Sequence, residues 1–437
     1  MNLTNNMKYL YLFLCVLFLS NCGKDDNSNG EPNNTGTSSS PNILLIIADD
    51  MGKDATSGFS EGDLKPNTPN LNKIKNEGLT FNSFWVNPTC SPTRASMITG
   101  KYGYRTGVKW AGDELNETEK LLQQYINEET NNAYSTGVVG KWHLSGDNTT
   151  VNPEDFGVDY YAGLIRGAVQ NYYQWQFTED GVASFQTEYI SEVFTDLSID
   201  WINSQSKPWF LWLAYNAPHT PFHAPPTEMH SQGDLPAYVD GLDPMPYYLA
   251  AIESMDFQIG KLLDGIPEEE LDNTIIIFLG DNGTPNQVAQ FPYSSNTVKG
   301  SLYQGGINVP MFISGKGVDR TGEDNSLICS TDIYSTIAEL AGGDNSEIYD
   351  SKSFKSLLTT ASVHREFQYS EMNNGADDLW AISNGDFKLI INENGNEEMY
   401  DLISDPYEIN DLLNGTLTTT EENAKDELEA ELLIIRI

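Results

Sequence analysis

The sequence predicts an α/β fold in which helices sandwich a mostly parallel sheet, followed by a smaller C-terminal subdomain of antiparallel sheet plus helix. Several short apolar runs do not alternate with polar residues, and amphipathic helical patterns lie between them. Such runs are typical of strands that are buried on both faces of a parallel sheet. The pattern changes near residue 345. We therefore expect a main domain over 41–345 and a subdomain over 346–437.

Four of the apolar runs end directly in polar residues. They are NILLIIA (42–48) before Asp49-Asp50, YSTGVVG (134–140) before Lys141-Trp142-His143, PWFLWLAY (208–215) before Asn216-Ala217-Pro218-His219, and TIIIFLG (274–280) before Asp281-Asn282-Gly283. In sheets of this class the functional site lies beyond the carboxyl ends of the strands. Core packing does not account for polar clusters there, so we expect the four to meet at a site.

The helices and the C-terminal strands follow from simple patterns. Residues 247–266 carry apolar side chains at three- and four-residue spacing, which predicts an amphipathic helix with that stripe in the core. Residues 331–343 predict a second helix that ends at two glycines. Residues 380–402 are typical of three strands joined by turns, and 420–437 predict an acidic helix.

The N-terminus resembles a bacterial export signal. Lys8 precedes an apolar run over 9–19, which is short of the roughly 20 residues that span a bilayer. The run leads into Leu-Ser-Asn-Cys, which resembles a lipobox ending at Cys22. We expect 1–22 to be a lipoprotein signal peptide and Cys22 to be lipidated, the alternative being an ordinary secretory signal.

The segment that follows the signal predicts a tether. Residues 23–40 are polar and rich in Gly, Ser and Asn, so they are expected to form a flexible linker. Its Lys-Asp-Asp at 24–26 resembles the surface-export signal of Bacteroidetes lipoproteins. The sequence thus predicts an exported lipoprotein at the cell surface or in the periplasm, held to the membrane through its lipid anchor alone.

The charge is strongly acidic, with 24 basic against 63 acidic residues and a net charge of −39. Such a field repels nucleic acid, so we expect no nucleic-acid partner. An anionic substrate would need a few locally placed cations. A solubilising surface is the simpler explanation of the acidity.

Cys90 begins the stretch CSPTRASMITG (90–100). If Cys22 is lipidated, the mature body keeps Cys90 and Cys329, too few for a disulfide framework. Pro92 in the first turn favours a helix start, and a helix start favours an anion. Cys90 is therefore expected to face an anion site, the alternative being an ordinary reduced or buried cysteine.

Cys90-x-Pro92-x-Arg94 with the Thr-Gly and Tyr-Gly pairs that follow resembles the signature of the formylglycine-dependent (type I) sulfatases of the alkaline phosphatase superfamily. Six further motifs occur in family order: Asp49-Asp50-Met51-Gly52, Gly140-Lys141-Trp142-His143, Pro218-His219-Thr220-Pro221, Gly280-Asp281-Asn282-Gly283, Lys299-Gly300 with Gly305-Gly306, and Tyr400-Asp401-Leu402 with Asp405-Pro406. The resemblance implies an alkaline phosphatase-like fold and a catalytic domain over 41–345. It also implies hydrolysis of sulfate esters, above all on a sulfated carbohydrate.

For Cys90 the resemblance implies oxidation to formylglycine by a separate maturation enzyme. A hydrated aldehyde carries two hydroxyls on one carbon, so one can attack the sulfur and the other can later expel sulfate. A serine would instead leave a stable sulfate ester.

Asp49, Asp50, Asp281 and Asn282 form an all-oxygen set, which favours Ca²⁺ or Mg²⁺ over zinc. The resemblance implies calcium, with modified Cys90 as a further ligand. A turn or helix-cap role is the alternative for Asp50 or Asn282 taken alone.

The resemblance also assigns the remaining catalytic residues. It implies that Arg94 braces the formylglycine and that Lys141 and Lys299 contact sulfate, with Lys299 next to the leaving oxygen. Fixed cations suit a transition state that spreads negative charge, although a surface position is the alternative for each lysine. His219 is expected to protonate the leaving group, and His143 to stand beside the formylglycine.

One motif departs from the family pattern. The chain reads KGSLYQGGINVP over 299–310, with Gln304 and Asn308 where the family commonly has Glu and Arg. The loss of that Glu–Arg pair leaves the catalytic set intact but removes a contact that would support the loop.

Two other functions remain open from the sequence. One is a phosphodiesterase or phosphonate monoester hydrolase of the same superfamily, although those enzymes usually carry a second, histidine-containing metal set and this chain has five histidines. The other is an inactive glycan-binding surface lipoprotein, which would not need a proton donor. Because basic runs are lacking, we expect a pocket for terminal or short oligosaccharide sulfates.

Overall fold

The computed structural model describes residues 40–146, 151–344, 346 and 348–437. The predictions for the signal peptide (1–22) and for the linker up to residue 39 lie outside the described residues. The strands are β1 (Asn42–Asp49), β2 (Leu79–Phe81), β3 (Phe84–Trp85), β4 (Ser135–Lys141), β5 (Tyr161–Leu164), β6 (Trp175–Glu179), β7 (Val182–Gln186), β8 (Trp209–Pro218), β9 (Thr274–Gly280), β10 (Met311–Gly315), β11 (Gly322–Asp324), β12 (Ile328–Cys329), β13 (Gln368–Asn373), β14 (Asp378–Ser383), β15 (Phe387–Asn392) and β16 (Glu397–Asp401).

The α-helices in the same residues are α1 (Pro69–Asn76), α2 (Cys90–Thr99), α3 (Gly103–Thr106), α4 (Leu122–Glu129), α5 (Ile190–Asn203), α6 (Met245–Gly265), α7 (Glu268–Asp272), α8 (Gln304–Ile307), α9 (Asp332–Leu340) and α10 (Thr419–Ile435). The helices expected over 247–266, 331–343 and 420–437 correspond to α6, α9 and α10.

A ten-stranded sheet organises the main part of the chain, in the order β11-β2-β10-β9-β1-β8-β4-β5-β6-β7. Its five central strands, β9 to β5 in that order, run parallel. The neighbours on either side, β10 and β6, pair antiparallel to them. The four buried runs predicted from the sequence are β1, β4, β8 and β9, and they are adjacent at the centre of the sheet.

Two layers of core cover the sheet, one on each face. Alternate residues of β1 show the division, because Ile43, Leu45 and Ile47 join one buried cluster and Leu44, Ile46 and Ala48 join the other. The first cluster packs against α2 and α9, and the second against α5 and α6. This burial on both faces is why the runs are apolar without alternation.

The C-terminal part is a four-stranded antiparallel sheet in the order β13-β14-β15-β16, covered by α10. The three strands expected over 380–402 are β14 to β16. Strand β13, which was not predicted from the sequence, pairs with β14 along its whole length. The described residues form one compact unit, and the division of the chain at residue 345 stays a prediction.

Within the described ranges, no helix combines the length and the apolar character that a membrane crossing requires.

Candidate active site

The polar clusters that end the central strands meet at one edge of the sheet, as expected. Asp49 is the last residue of β1 and Lys141 the last of β4, while His219 follows β8 and Asp281 follows β9. The chain turns sharply just beyond two of these strands. Asp50 and His143 have φ angles of 70° and 59°, in the left-handed region that non-glycine residues seldom adopt. Strained backbone of this kind clusters at functional sites.

Cys90 is the first residue of α2, and its side chain is almost completely buried. Its Sγ lies 3.1 Å from Nδ1 of His143. Gly167 makes room for that imidazole, because a Cβ at position 167 would stand 2.1 Å from two atoms of the His143 ring. The structure therefore brings together Cys90 and His143, as the resemblance implied.

Arg94 is fully buried one helical turn after Cys90. Its Nε and Nη2 donate to Oδ2 of Asp281 at 3.1 and 2.8 Å, and its Nη1 donates to the carbonyl oxygen of Lys141 at 2.8 Å. Burial opposes the charge of Arg94, but the carboxylates of Asp281 and Asp49 outweigh it and raise its pKa. Arg94 thus carries a fixed positive charge beneath the site and joins the ends of β4 and β9.

The two lysines of the predicted set pair with the two adjacent aspartates. Nζ of Lys141 lies 2.6 Å from Oδ2 of Asp49, and Nζ of Lys299 lies 2.5 Å from Oδ1 of Asp50. Burial raises the pKa of Asp49 despite Lys141. Burial also acts on Asp50, but Lys299 and His219 overcome it and hold the pKa of Asp50 below its usual value. Lys299 is correspondingly held above its usual pKa, chiefly by Asp50 acting against burial.

Side-chain atoms of Asp49, Asp50 and His219 lie within 4.8 Å of one another, a grouping that could hold a metal ion. Two buried oxygens beside them, Oδ1 of Asp49 and Oδ1 of Asn282, have no hydrogen-bond partner. Buried acceptors are normally paired, and unpaired oxygens of carboxylate and amide type suit a hard divalent cation. The donor set therefore fits the predicted ion. His219 was not predicted as one of its neighbours.

Asp281 is engaged differently from Asp49, Asp50 and Asn282, the other three members of the predicted oxygen set. One of its oxygens accepts both bonds from Arg94, and the other accepts the backbone N–H of Asp50 at 3.1 Å. Asn282 donates from Nδ2 to Oδ1 of Asp50 at 2.7 Å, and its own side-chain oxygen has no hydrogen-bond partner. The more available ligand atoms are therefore Oδ1 of Asp49 and Oδ1 of Asn282, whereas Oδ1 of Asp50 contacts Lys299 and Asn282.

The two histidines have different neighbours, Cys90 for His143 and Asp50 for His219. Nδ1 of His219 lies 2.6 Å from the carbonyl oxygen of Thr220, so its proton sits on Nδ1, and Nε2 is 3.7 Å from Oδ2 of Asp50. Burial, together with Lys299 and Lys141, lowers the pKa of His219 to about 3. Burial and the same lysines, with Arg94, hold the pKa of His143 well below its usual value. Both imidazoles are therefore neutral in this arrangement.

Two tyrosines that were not predicted from the sequence form hydrogen bonds to the backbone of the site. The hydroxyl of Tyr172 lies 2.8 and 2.6 Å from the carbonyl oxygens of Asn216 and His219, and that of Tyr248 donates to the carbonyl oxygen of Asp50 at 2.7 Å. Both rings are buried, and buried tyrosines are common in cores. The aromatic run over 171–177 is a sequence feature that marks Tyr172, whereas no sequence feature marks Tyr248.

The two departures from the family motif have new partners. Oδ1 of Asn308 accepts a hydrogen bond from Nζ of Lys53 at 2.8 Å, and burial lowers the pKa of Lys53 to about 8. The side-chain oxygen of Gln304 is buried without a partner, whereas its backbone N–H donates to Glu408. Residues from outside the motif therefore contact both positions.

Two sequence models of known families match the chain. Residues 41–343 match the sequence model of the family described as Sulfatase. Residues 298–436 match a second model, described as N-sulphoglucosamine sulphohydrolase, C-terminal.

Individual relatives have low sequence identity to the chain, but the matches extend over most of its length. The chain is 28% identical over 375 residues to the uncharacterized sulfatase YdeN of Escherichia coli K12, covering 72% of this chain and 65% of YdeN, just under two thirds. It is 28% identical over 410 residues to an arylsulfatase of Klebsiella aerogenes, covering 70% of this chain and 87% of that enzyme. The crystal structure of Ps i-CgsB in complex with k-i-k-neocarrahexaose matches with a TM-score of 0.76 and 25% identity, covering 90% of this chain and 92% of that one. Because the Sulfatase model spans most of the sequence, the chain belongs to the sulfatase family of the alkaline phosphatase superfamily, a family of sulfuric ester hydrolases.

Proposed function

We propose that this protein hydrolyses sulfate esters on carbohydrates, using a formylglycine made from Cys90 and a bound Ca²⁺. The observation that carries the proposal is the position of Cys90, 3.1 Å from His143 at an edge where Lys141, Lys299 and Arg94 converge. Convergent cations suit an ester of a strong acid, whose transition state spreads charge over its outer oxygens.

The metal ion would be held by Asp49, Asp50 and Asn282, with Asp281 and residue 90 beside them. When bound, a divalent cation supplies Lewis-acid stabilisation of the sulfuryl oxygens, and formylglycine supplies the attacking hydroxyl. Ca²⁺ fits better than Mg²⁺, because the oxygens come from several carboxylate and amide groups and calcium accepts irregular geometry.

The chain's own residues then provide electrostatic stabilisation and carry out the proton transfers. Lys141 and Lys299 contact the sulfate in this proposal, while Arg94 holds the end of β4 to the end of β9. Nδ1 of His143 points at residue 90 and can accept a proton from it. A bound sulfate ester places negative charge near His219 and favours its protonated form, whose Nε2 can then protonate the leaving oxygen.

The relatives support a carbohydrate substrate. One solved relative was crystallised with a neocarrahexaose, and one curated relative is a human N-acetylgalactosamine-6-sulfatase, 27% identical over 347 residues. Alkoxide leaving groups of sugars need protonation, which agrees with a histidine beside Asp50. We propose that the substrate is a terminal or short oligosaccharide sulfate.

The proposal extends to processing and location. The lipobox ending at Cys22 and the polar linker support an exported lipoprotein at the cell surface or in the periplasm. A formylglycine-generating enzyme would be its partner during maturation. Neither feature depends on the identity of the sugar.

The test is a sulfate-release screen over defined sulfated oligosaccharides, with the chain co-expressed with a maturation enzyme and Cys90→Ala as the blank. Conversion of the thiol to an aldehyde lowers the mass of the Cys90 peptide by about 18 Da, as expected for an activated nucleophile of this class. We expect sulfate release in the converted sample and none in the blank. A fully converted sample that releases no sulfate from any substrate would refute the proposal.

A further inference from the structure

Lys299 begins a segment whose backbone is held by contacts with other parts of the chain. Its side chain is 20% exposed, whereas that of Lys141 is fully buried, so packing around the side chain holds Lys299 less firmly. The backbone N–H groups of Lys299 and Gly300 donate to the carbonyl oxygens of Thr284 and Pro88. The remainder of the segment 299–308 lacks the Glu and Arg that the family motif would place at 304 and 308.

A buried ion pair from the C-terminal sheet contacts this segment. Lys388 lies on β15 and Glu408 in the loop after β16, and both side chains are almost completely buried. Nζ of Lys388 donates to Glu408 and, at 2.5 Å, to the carbonyl oxygen of Leu302. The second carboxylate oxygen of Glu408 accepts the backbone N–H of Gln304. The pair thus binds one backbone acceptor and one backbone donor, three and five residues after Lys299.

The same pair borders the segment that leads to Cys90. Nζ of Lys388 lies 5.0 Å from the ring centroid of Trp85. Trp85 bridges to Asn308, and the backbone N–H of Val86 donates to the carbonyl oxygen of Ile307. The segment before Cys90 and the segment after Lys299 therefore pack against each other, and both contact the ion pair of Lys388 and Glu408.

We propose that Lys388 and Glu408 are positioning residues that set Lys299 in the anion site. Both charges are out of water, so the removal of either one leaves the other buried without its counter-charge. The backbone groups of Leu302 and Gln304 would also lose their partners, and the segment would shift to satisfy them. The effect on turnover rests on the proposed function, whereas the placement of Lys299 does not.

The first test is structural. Crystals of Lys388→Met, grown under the conditions used for the wild type, should show Nζ of Lys299 displaced by about 1 Å or more, a shift large enough to matter for catalysis. Glu408→Gln should move it in a second, milder way, and serves if Lys388→Met does not fold. Arg436→Met is the matched control, because Arg436 pairs with Glu371 in the same subdomain and does not contact the segment. An unmoved Lys299 in both variants would overturn the proposal.

The second test is a double-mutant cycle on sulfate release. Lys388→Met should lower kcat/KM about tenfold or more, but by less than about twofold when Lys299 is already alanine, because residues acting through one another are not additive. Equal losses in both backgrounds would mean a general structural role and would contradict the proposal. If the wild type releases no sulfate, the sulfatase proposal fails, and the crystals alone decide the role of Lys388 and Glu408.

Discussion

At the scale of single residues, hydrogen bonds hold side chains of the site in one orientation. His219 is the clearest case, because Thr220 fixes its Nδ1 proton and turns Nε2 toward Asp50. In the proposed mechanism, that orientation leaves Nε2 as the atom that protonates the leaving group.

The role of His219 can be tested through the leaving group. His219→Ala should lower kcat/KM for a sugar sulfate by about 10² or more, the usual worth of a general acid. An aryl sulfate such as p-nitrophenyl sulfate leaves without a proton, so its hydrolysis should fall much less. His230→Ala is the control histidine. Equal losses on both substrates would show that His219 is not the acid.

Gly167 provides a second test at the scale of one residue. An added methyl would stand 2.1 Å from the His143 ring and force it away from Cys90. We expect Gly167→Ala to lower kcat for sulfate release about tenfold or more, because proton transfer needs close geometry. Gly415→Ala is the control, since its Cβ would meet the nearest atom at 3.6 Å. Full activity in Gly167→Ala would mean that the position of His143 is not critical.

At the scale of elements, one helix caps the start of another helix that is distant in sequence. The first turn of α1 is capped from α6, where the two oxygens of Asp256 accept the backbone N–H groups of Leu71 at 2.7 Å and Asn70 at 3.2 Å. Helix starts leave such N–H groups without intrahelical partners, so the contact docks one helix onto the other.

Burial raises the pKa of Asp256 to about 6, although these N–H groups act in the other direction. The folded value lies above the unfolded value of about 3.9, so the contribution of this group is fully present below that value and is lost as pH rises through about 6. Asparagine does not titrate. The stability of the wild type relative to Asp256→Asn should therefore fall between about pH 5 and 7.5.

Urea unfolding of both proteins at the two pH values measures this difference. Asp240→Asn, at an exposed carboxyl, is the control for the substitution itself. A difference for Asp256→Asn that stays constant, or grows with pH, would contradict the assignment.

The strand ends were predictable and the contacts between them were not. Asp49, Lys141 and Asp281 could be placed at one edge because unalternating apolar runs require parallel buried strands. The contact of Gly167 with His143, and that of Lys388 with Leu302, join residues far apart in sequence and follow no period. Strand β13 was missed for a related reason, since its pairing with β14 is a tertiary contact and its sequence has no strong alternation.

At the scale of the whole molecule, the net charge of −39 opposes any polyanion. If sulfated polymers are turned over at all, we expect kcat/KM to rise severalfold between roughly 20 and 200 mM NaCl as salt screens the repulsion. A singly sulfated sugar should respond less. Rates measured on both substrates over this range test the expectation, and a fall in the polymer rate with salt would point to a basic binding surface instead.

The burial of α2 has a consequence for the order of events in the life of the protein. All ten residues of the helix are buried, and the core on that face includes side chains from α9 and from β9, far along the chain. If Cys90 is converted to formylglycine as proposed, the converting enzyme must reach it before the chain has folded. Maturation and folding would then compete for the same residue, and a chain that folds first would keep its thiol.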